Sequence, residues 1–268
     1  MSQIAAEDEI GDRDYVNSFA RGLEVIRAFS RASPKMTLSE VSRTTDMTRA
    51  TVRRFLLTLV REGYVFTDGK YFSLTPKILE LGYSALSSMS MLEIAQPIMA
   101  QLADRLQESC FAVVLQGDSV IYTARATSQR YISVGITVGS RVPAHCVSSG
   151  RVLLAGLPED EFEAYLENAE LTKFTPNTIT SRVKLRSAVE EVRMQGWSIV
   201  DQELEIGLRS ISVPIKDRSG ATIAALNVPC PSARITYDYM RTTILAELMA
   251  ASNRITSGLL NEQSAAAT

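Results

Sequence analysis

Three short runs hold side chains whose types and spacing could do chemistry. Arg49, Arg53 and Arg54 place three guanidiniums in the first two turns of one amphipathic segment, beside Thr48, Ala50 and Thr51. Cations gathered at the positive end of a helix repel that end unless an anion sits there, so the run suits phosphates and base edges. Ser148-Ser149-Gly150 opens another helix after an extended segment. Free backbone N–H groups and two hydroxyls there suit a small carboxylate; an ordinary cap by Ser148 or Ser149 is the competing use. His145-Cys146 sets a base beside a nucleophile. In an extended segment, however, neighbouring side chains point to opposite faces, and His145 is the sole histidine. A buried thiol and a hydrogen-bonded imidazole fit this pair better than catalysis.

Composition narrows the classes further. Cys110, Cys146 and Cys230 show no metal-ligand spacing, and the chain has neither a Walker A loop nor a Gly-rich dinucleotide fingerprint. No catalytic residue, cofactor or metal is therefore expected. Three scattered cysteines fit a reducing cytoplasm rather than a disulfide framework. No apolar run reaches the roughly 18–20 residues that span a bilayer, so no membrane partner is expected. Residues 1–14 are acidic and polar, lack a signal-peptide pattern, and read as a disordered tail. Charge is uneven: residues 15–82 hold 11 Lys/Arg against 6 Asp/Glu, and residues 83–268 hold 16 against 19. A basic segment on an otherwise acidic chain points to an anionic partner for that segment alone.

The elements that must position the arginines follow from caps and periodicity. Ser18 caps a first helix to about Phe29, with Phe19, Leu23 and Ile26 on its apolar face. Ser33-Pro34 breaks it. Thr37 and Glu40 form a capping box for a second helix to about Thr44, with Ser39 in its first turn. After the short connection Thr45-Asp46-Met47, Thr48 caps a third helix from Arg49 to Glu62, stopped by Gly63. Val52, Phe55, Leu56, Leu59 and Val60 share its core face and leave Arg49, Ala50, Arg53 and Arg54 outward. Two strand-like runs, 64–66 and 71–74, flank the hairpin turn Thr67-Asp68-Gly69-Lys70. Three helices and a hairpin in this order make a winged helix-turn-helix over residues 15–75. Its third helix suits the major groove of a double-stranded DNA operator. The expected DNA contacts are Ser39, Thr48, Arg49, Ala50, Thr51, Arg53, Arg54 and, at the wing tip, Lys70.

Beyond Thr75-Pro76 the pattern changes. Residues 76–90 read as a linker helix and 91–260 as a second, α+β domain, with 261–268 a flexible tail. Helices are expected at 92–108, from Ser148 or Ser149 to Leu157, from Pro158 to about Asn168, at 183–195 and at 237–260. Strands are expected at 111–115, 120–124, 131–134, 197–201, 211–215 and 222–228.

These stretches resemble the IclR family of bacterial regulators. The likeness is carried by Val16–Val25, Leu38–Ser42, Arg49–Leu56, Pro143–Ala155 and Asp201–Pro214, and spans about residues 15–260. It is nearest to regulators of aromatic-acid breakdown through the β-ketoadipate pathway, with other carboxylate pathways, or a ligand-binding domain with residual enzymatic activity, as alternatives. The resemblance implies a GAF-like or profilin-like effector-binding domain and a small aromatic or dicarboxylic acid as effector. It also implies a homodimer or tetramer (a dimer of dimers) paired through helix one and the 77–89 connector. A regulator role admits RNA polymerase as a further partner. Carried over as effector-site positions are Ser148, Ser149, Gly150, Asp201, Ser210 and Asn227. Relatives often have Cys where Ser210 stands, Ser where Asn227 stands, and a small polar residue where Pro229 stands. Those departures imply a retuned ligand. Tyr131 either walls the pocket or packs in the core. Arg141 and Arg130 either pair with the acid or remain solvated.

Overall fold

Thr37 fixes where the second helix begins. Its hydroxyl accepts from the Glu40 N–H, while Glu40 Oε2 accepts from the Thr37 N–H at 2.7 Å, closing the expected capping box. In the computed structural model, which describes residues 15–30, 32–78, 81, 90–127 and 136–265, this helix belongs to the first of two units, Met1–Ser88 and Met89–Thr268.

The first unit contains α1 (Asn17–Arg27), β1 (Met36–Thr37), α2 (Leu38–Thr44), α3 (Arg49–Arg61), β2 (Val65–Thr67) and β3 (Tyr71–Leu74). The strands form an antiparallel sheet in the order β1-β3-β2. Val25, Val41, Val52, Leu56 and Val65 fill the core, joined by Phe29, Met36 and Met47. Two expectations for α1 fail. The N-cap position is Val16, with no side-chain cap, so Ser18 lies inside the first turn. Phe19 is 69% exposed because the inward face is Val25 and Phe29, with Gly22 against the Phe55 ring.

The second unit is a six-stranded antiparallel sheet in the order β6-β5-β4-β9-β8-β7, with helices on both faces. Its elements are α4 (Ser90–Leu106), β4 (Cys110–Gln116), β5 (Ser119–Ala126), β6 (Arg141–Pro143) and a 3-10 turn at Ala144–Cys146. Then come α5 (Ser148–Ala155), α6 (Glu159–Asn168), α7 (Arg182–Gln195), β7 (Ser198–Asp201), β8 (Leu208–Lys216) and β9 (Thr222–Pro231). A short helical turn and a π-turn, Met240–Ile244, lead into α8 (Leu245–Ala265), which enters the stretch expected to be a flexible tail.

The period of two along each strand divides the core. Cys110 and Ala112 of β4, with Leu226 and Val228 of β9, face α4 and α8. Phe111 and Val113 face α5, α6 and α7. A bulge between Ala112 and Val113 in the β4–β5 register shifts β5, so Val120 and Tyr122 join the second layer and Ala124 and Ala126 the first. The short β6 strand was not foreseen. The strand expected at 131–134, with Tyr131 and Arg130, and most of the 77–89 connector lie outside the described residues.

Candidate nucleic-acid interface and sensor pocket

The turn before α3 is built locally. Asp46 adopts φ of 51°, a left-handed conformation that Asp tolerates better than most residues. The Ser42 hydroxyl donates to the Met47 carbonyl at 2.6 Å, and Met47 itself is buried. This pins the approach of α2 to α3. Thr48 then caps α3, its hydroxyl accepting from the Thr51 N–H and lying 2.9 Å from the Thr51 hydroxyl. With Val52 and Leu56 turned into the core, Arg49, Ala50, Arg53 and Arg54 are exposed together, as is Ser39 at the start of α2.

Among the described residues none of the three arginines forms an ion pair. Arg54 and Thr51 also edge a groove of about 410 Å³ against α1, lined by Asn17, Ser18, Arg21, Phe55 and Thr58. Arg21 was not among the expected contacts; a basic residue one turn into α1 was its only sequence signal. At the wing, Asp68 Oδ1 accepts from the N–H groups of Lys70 (3.0 Å) and Tyr71 (2.8 Å), and Gly69 takes φ of 94°. Those two backbone donors hold the Asp68 carboxyl below its usual range. Lys70 is exposed at the tip, its ammonium 5.1 Å from the Tyr71 ring centre.

The start of α5 is different. The N-cap position is Val147 and no side chain caps the helix, so the ordinary capping use of Ser148 or Ser149 is overturned. Both serines are fully buried. Among the described residues no protein group accepts from the N–H of Ser148, Ser149 or Gly150. Gly150 is imposed by packing: a Cβ there would lie 1.9 Å from the Ala144 carbonyl oxygen. The side chain of Ser148 reaches the sheet. Its hydroxyl donates to Ser210 Oγ at 2.8 Å, lies 2.8 Å from Ser212 Oγ, and accepts from Asn227 Nδ2 at 3.1 Å. Ser212 stands opposite Asn227 in the β8–β9 register, and Ser210 opposite Pro229.

Of these residues Ser210, Asn227 and Pro229 border a cavity of about 10 Å³, room for one water, lined also by Tyr122, Ile136, Cys146, Val147, Val200, Glu203, Leu204 and Leu208. Glu203 is neutralised across its wall, with Arg151 Nη2 at 2.6 and 2.7 Å from its two oxygens. Burial pushes Tyr122 up to about 12, against the pull of the adjacent Ser149 hydroxyl.

Two comparisons decide the family. The IclR helix-turn-helix domain model matches residues 18–69, and the model of the C-terminal domain of bacterial transcriptional regulator IclR matches residues 83–257. The chain belongs to the IclR family. A Pca regulon regulatory protein of Pseudomonas putida is 44% identical over 90% of this chain and 84% of its own. A p-hydroxybenzoate hydroxylase transcriptional activator of Acinetobacter baylyi is 31% identical over 93% of this chain and 94% of its own. A solved structure of a Rhodococcus sp. RHA1 protein described as a transcriptional regulator superposes with a TM-score of 0.83 at 47% identity, covering 92% of this chain and 99% of that one.

Within this IclR chain the expected effector positions separate into groups. Ser148, Ser149, Gly150, Ser210 and Asn227 come together around the α5 N-terminus. Asp201 does not join them. Val200 is the β7 residue on the cavity side, while Asp201 binds Arg209 Nε and Nη2 at 2.9 and 2.8 Å. Arg141 is exposed on β6, donating to the Gln116 carbonyl and lying 3.6 Å from Asp118.

His145 Nε2 meets the Thr172 carbonyl at 3.0 Å, so that nitrogen carries the proton. Burial holds His145 below its ordinary range. The Cys146 thiol donates to the Pro143 carbonyl, and burial pushes it up to about 12. Ser212, Tyr122, Val200 and Glu203 were missed. Counting by two from Ser210 yields Ser212, and Val200 pairs with Ser210 across β7–β8; the other two carry no local signal.

Proposed function

We propose that the chain regulates transcription of genes for aromatic or dicarboxylic acid catabolism of the β-ketoadipate type. It binds a palindromic or repeated operator through α3 and the wing, with an organic acid held at the α5 N-terminus. Arg49 and Arg53 reach base edges and phosphates, Thr48 and Thr51 a phosphate or thymine methyl, and Ser39, Arg54 and Lys70 the backbone.

The observation that carries the acid reading is the buried, uncapped start of α5. A helix end leaves its first N–H groups orphaned, and burying them without partners is costly unless an anion completes them. Ser148, Ser149 and Gly150 supply those donors. The names of the Pseudomonas and Acinetobacter relatives support an acid from aromatic breakdown.

An acid of that size does not fit in about 10 Å³, so its entry moves the wall around Leu204 and Leu208. The ligand shifts the DNA-binding equilibrium only by its differential affinity for the two states. Exposed Tyr15, Val16 and Phe19 at the start of α1 support pairing into a homodimer or a dimer of dimers. His145 and Cys146 take structural roles, with no catalysis. The protein acts in the cytoplasm, where RNA polymerase is a further partner. Among the described residues no helix is long and apolar enough to cross a membrane.

The test is a thermal titration with protocatechuate, 4-hydroxybenzoate and β-ketoadipate. A ligand of the folded state at 100 times its Kd adds about 2.7 kcal/mol and raises the melting temperature. A clear rise with one acid is the expected result. No rise with any of them removes the aromatic-acid assignment and leaves the operator reading standing.

A further inference from the structure

We propose that the acidic N-terminal segment, residues 1–14, docks in the groove between α1 and α3 and competes there with DNA phosphates for Arg21 and Arg54. This rests on the reading of α3 as the DNA interface. The groove, about 410 Å³, is lined by both arginines together with Asn17, Ser18 and Phe55. Gly22 lets α1 approach the Phe55 ring, which brings the Arg21 side of α1 beside the Arg54 side of α3. Both arginines are exposed, and among the described residues neither forms an ion pair. Two like charges on one groove repel until an anion sits between them.

The chain carries such an anion next to the groove. Residues 1–14 hold Glu7, Asp8, Glu9, Asp12 and Asp14 against Arg13 alone. That is five carboxylates against one cation, beside a unit whose residues 15–82 hold 11 Lys/Arg against 6 Asp/Glu. The acidic run ends at Asp14, three residues before Asn17 at the groove. At roughly 3.3–3.6 Å per extended residue, Asp12 and Asp14 are within reach of Arg21, which stands about 6 Å along α1 from Asn17.

A tether this short keeps its carboxylates at an effective concentration on the order of millimolar. A carboxylate meets a guanidinium in the same forked geometry as a phosphate does, so the segment and DNA cannot hold one arginine together. A second copy laid on the groove would instead add cations of the same basic unit. Phosphate contacts supply essentially all non-specific binding, so the competition is read most cleanly on DNA of arbitrary sequence.

The experiment is fluorescence anisotropy on a random-sequence duplex at roughly 50 and 200 mM salt. The full-length protein is compared with a full-length chain carrying Glu7→Gln, Asp8→Asn, Glu9→Gln, Asp12→Asn and Asp14→Asn. The neutralised chain should bind at least about fivefold tighter at the lower salt, with the ratio shrinking at the higher, where these ion pairs are screened. Adding Arg21→Ala and Arg54→Ala to both proteins should bring that ratio close to one, although binding itself is weaker. Equal binding by the two parent chains at low salt overturns this inference and leaves the α3 interface intact. A ratio that survives the loss of both arginines also overturns it, because repulsion of DNA from a distance needs no groove. No binding of the duplex by either parent chain overturns the interface reading and this inference together.

Discussion

The starts of α3 and α5 are two helix N-termini of similar sequence chemistry put to opposite uses. Each begins with small hydroxylated residues. At α3, Thr48 satisfies the Thr51 N–H and Arg49, Ala50, Arg53 and Arg54 are exposed, so the helix offers charge on long flexible arms. At α5 the hydroxyls are turned into the sheet, the N–H groups are left bare, and no residue from Ser148 to Leu154 is exposed. The first suits a large anion met at a surface, the second a small anion enclosed. What separates them is Gly150, which lets the Ala144 carbonyl close over the helix.

Substitutions at the two ends should therefore differ most in stability. Gly150→Ala drives a Cβ into a backbone carbonyl that has no rotamer to relieve it. A cost of about 3 kcal/mol, or a fall of roughly 10 °C in the sensor melting transition by calorimetry, is expected. Ala50→Gly at α3 should cost no more than about 1 kcal/mol. Similar losses at both ends would break the distinction. Arg49→Ala and Arg53→Ala come next. Each should weaken operator binding by about 10-fold or more, read by footprinting, with the acid-induced thermal shift unchanged. An intact footprint in both variants contradicts the α3 interface.

Ser149→Ala and Ser210→Ala should invert that pattern, with operator affinity retained and acid affinity reduced about fivefold, the scale of one hydrogen bond. Full acid response in both would misplace the pocket. The two ends also differ towards pH. His145, just before α5, is held below its ordinary range by burial, so the unfolded chain takes up its proton first as pH falls. Its contribution is complete above about 6.5, the ordinary histidine value, and is lost as pH falls through the depressed folded value. Urea melts should show a sensor that weakens on acidification, less so in His145→Asn. Equal slopes in both proteins would exclude His145 as the cause. The smallest effect is at the wing: Lys70→Ala should lower the salt slope of operator binding by about one, with little change in sequence preference.

The first unit was the more legible because its signals are local. The Thr37–Glu40 box, the Thr48 cap, the Asp68-Gly69 turn and the 3.6-residue period of α3 each lie within a few residues, and the structure keeps them all. Phe19 was misjudged because periodicity shows that a face is apolar, not how far the neighbouring helix extends to cover it. The sensor pocket is assembled across the sheet from residues 62 to 79 positions apart, as in the Ser148–Ser210 and Ser148–Asn227 bonds. Membership of that cluster depends on strand parity and register. A one-residue shift reverses the face: Asp201, carried over from the family resemblance, pairs with Arg209, while its neighbour Val200 lines the cavity. Even there, the helix start at Ser148 was readable. Its use was not, because a cap and an open anion site look alike until burial separates them.

The most direct test is fluorescence anisotropy of the full-length protein on DNA selected from a random-sequence library, titrated with 4-hydroxybenzoate or β-ketoadipate. The account predicts an operator Kd that changes with acid and saturates, with the midpoint moved to higher acid in Ser149→Ala and the acid-free Kd unchanged. An operator Kd that stays constant while the melting titration shows the acid bound would contradict coupling between the two ends.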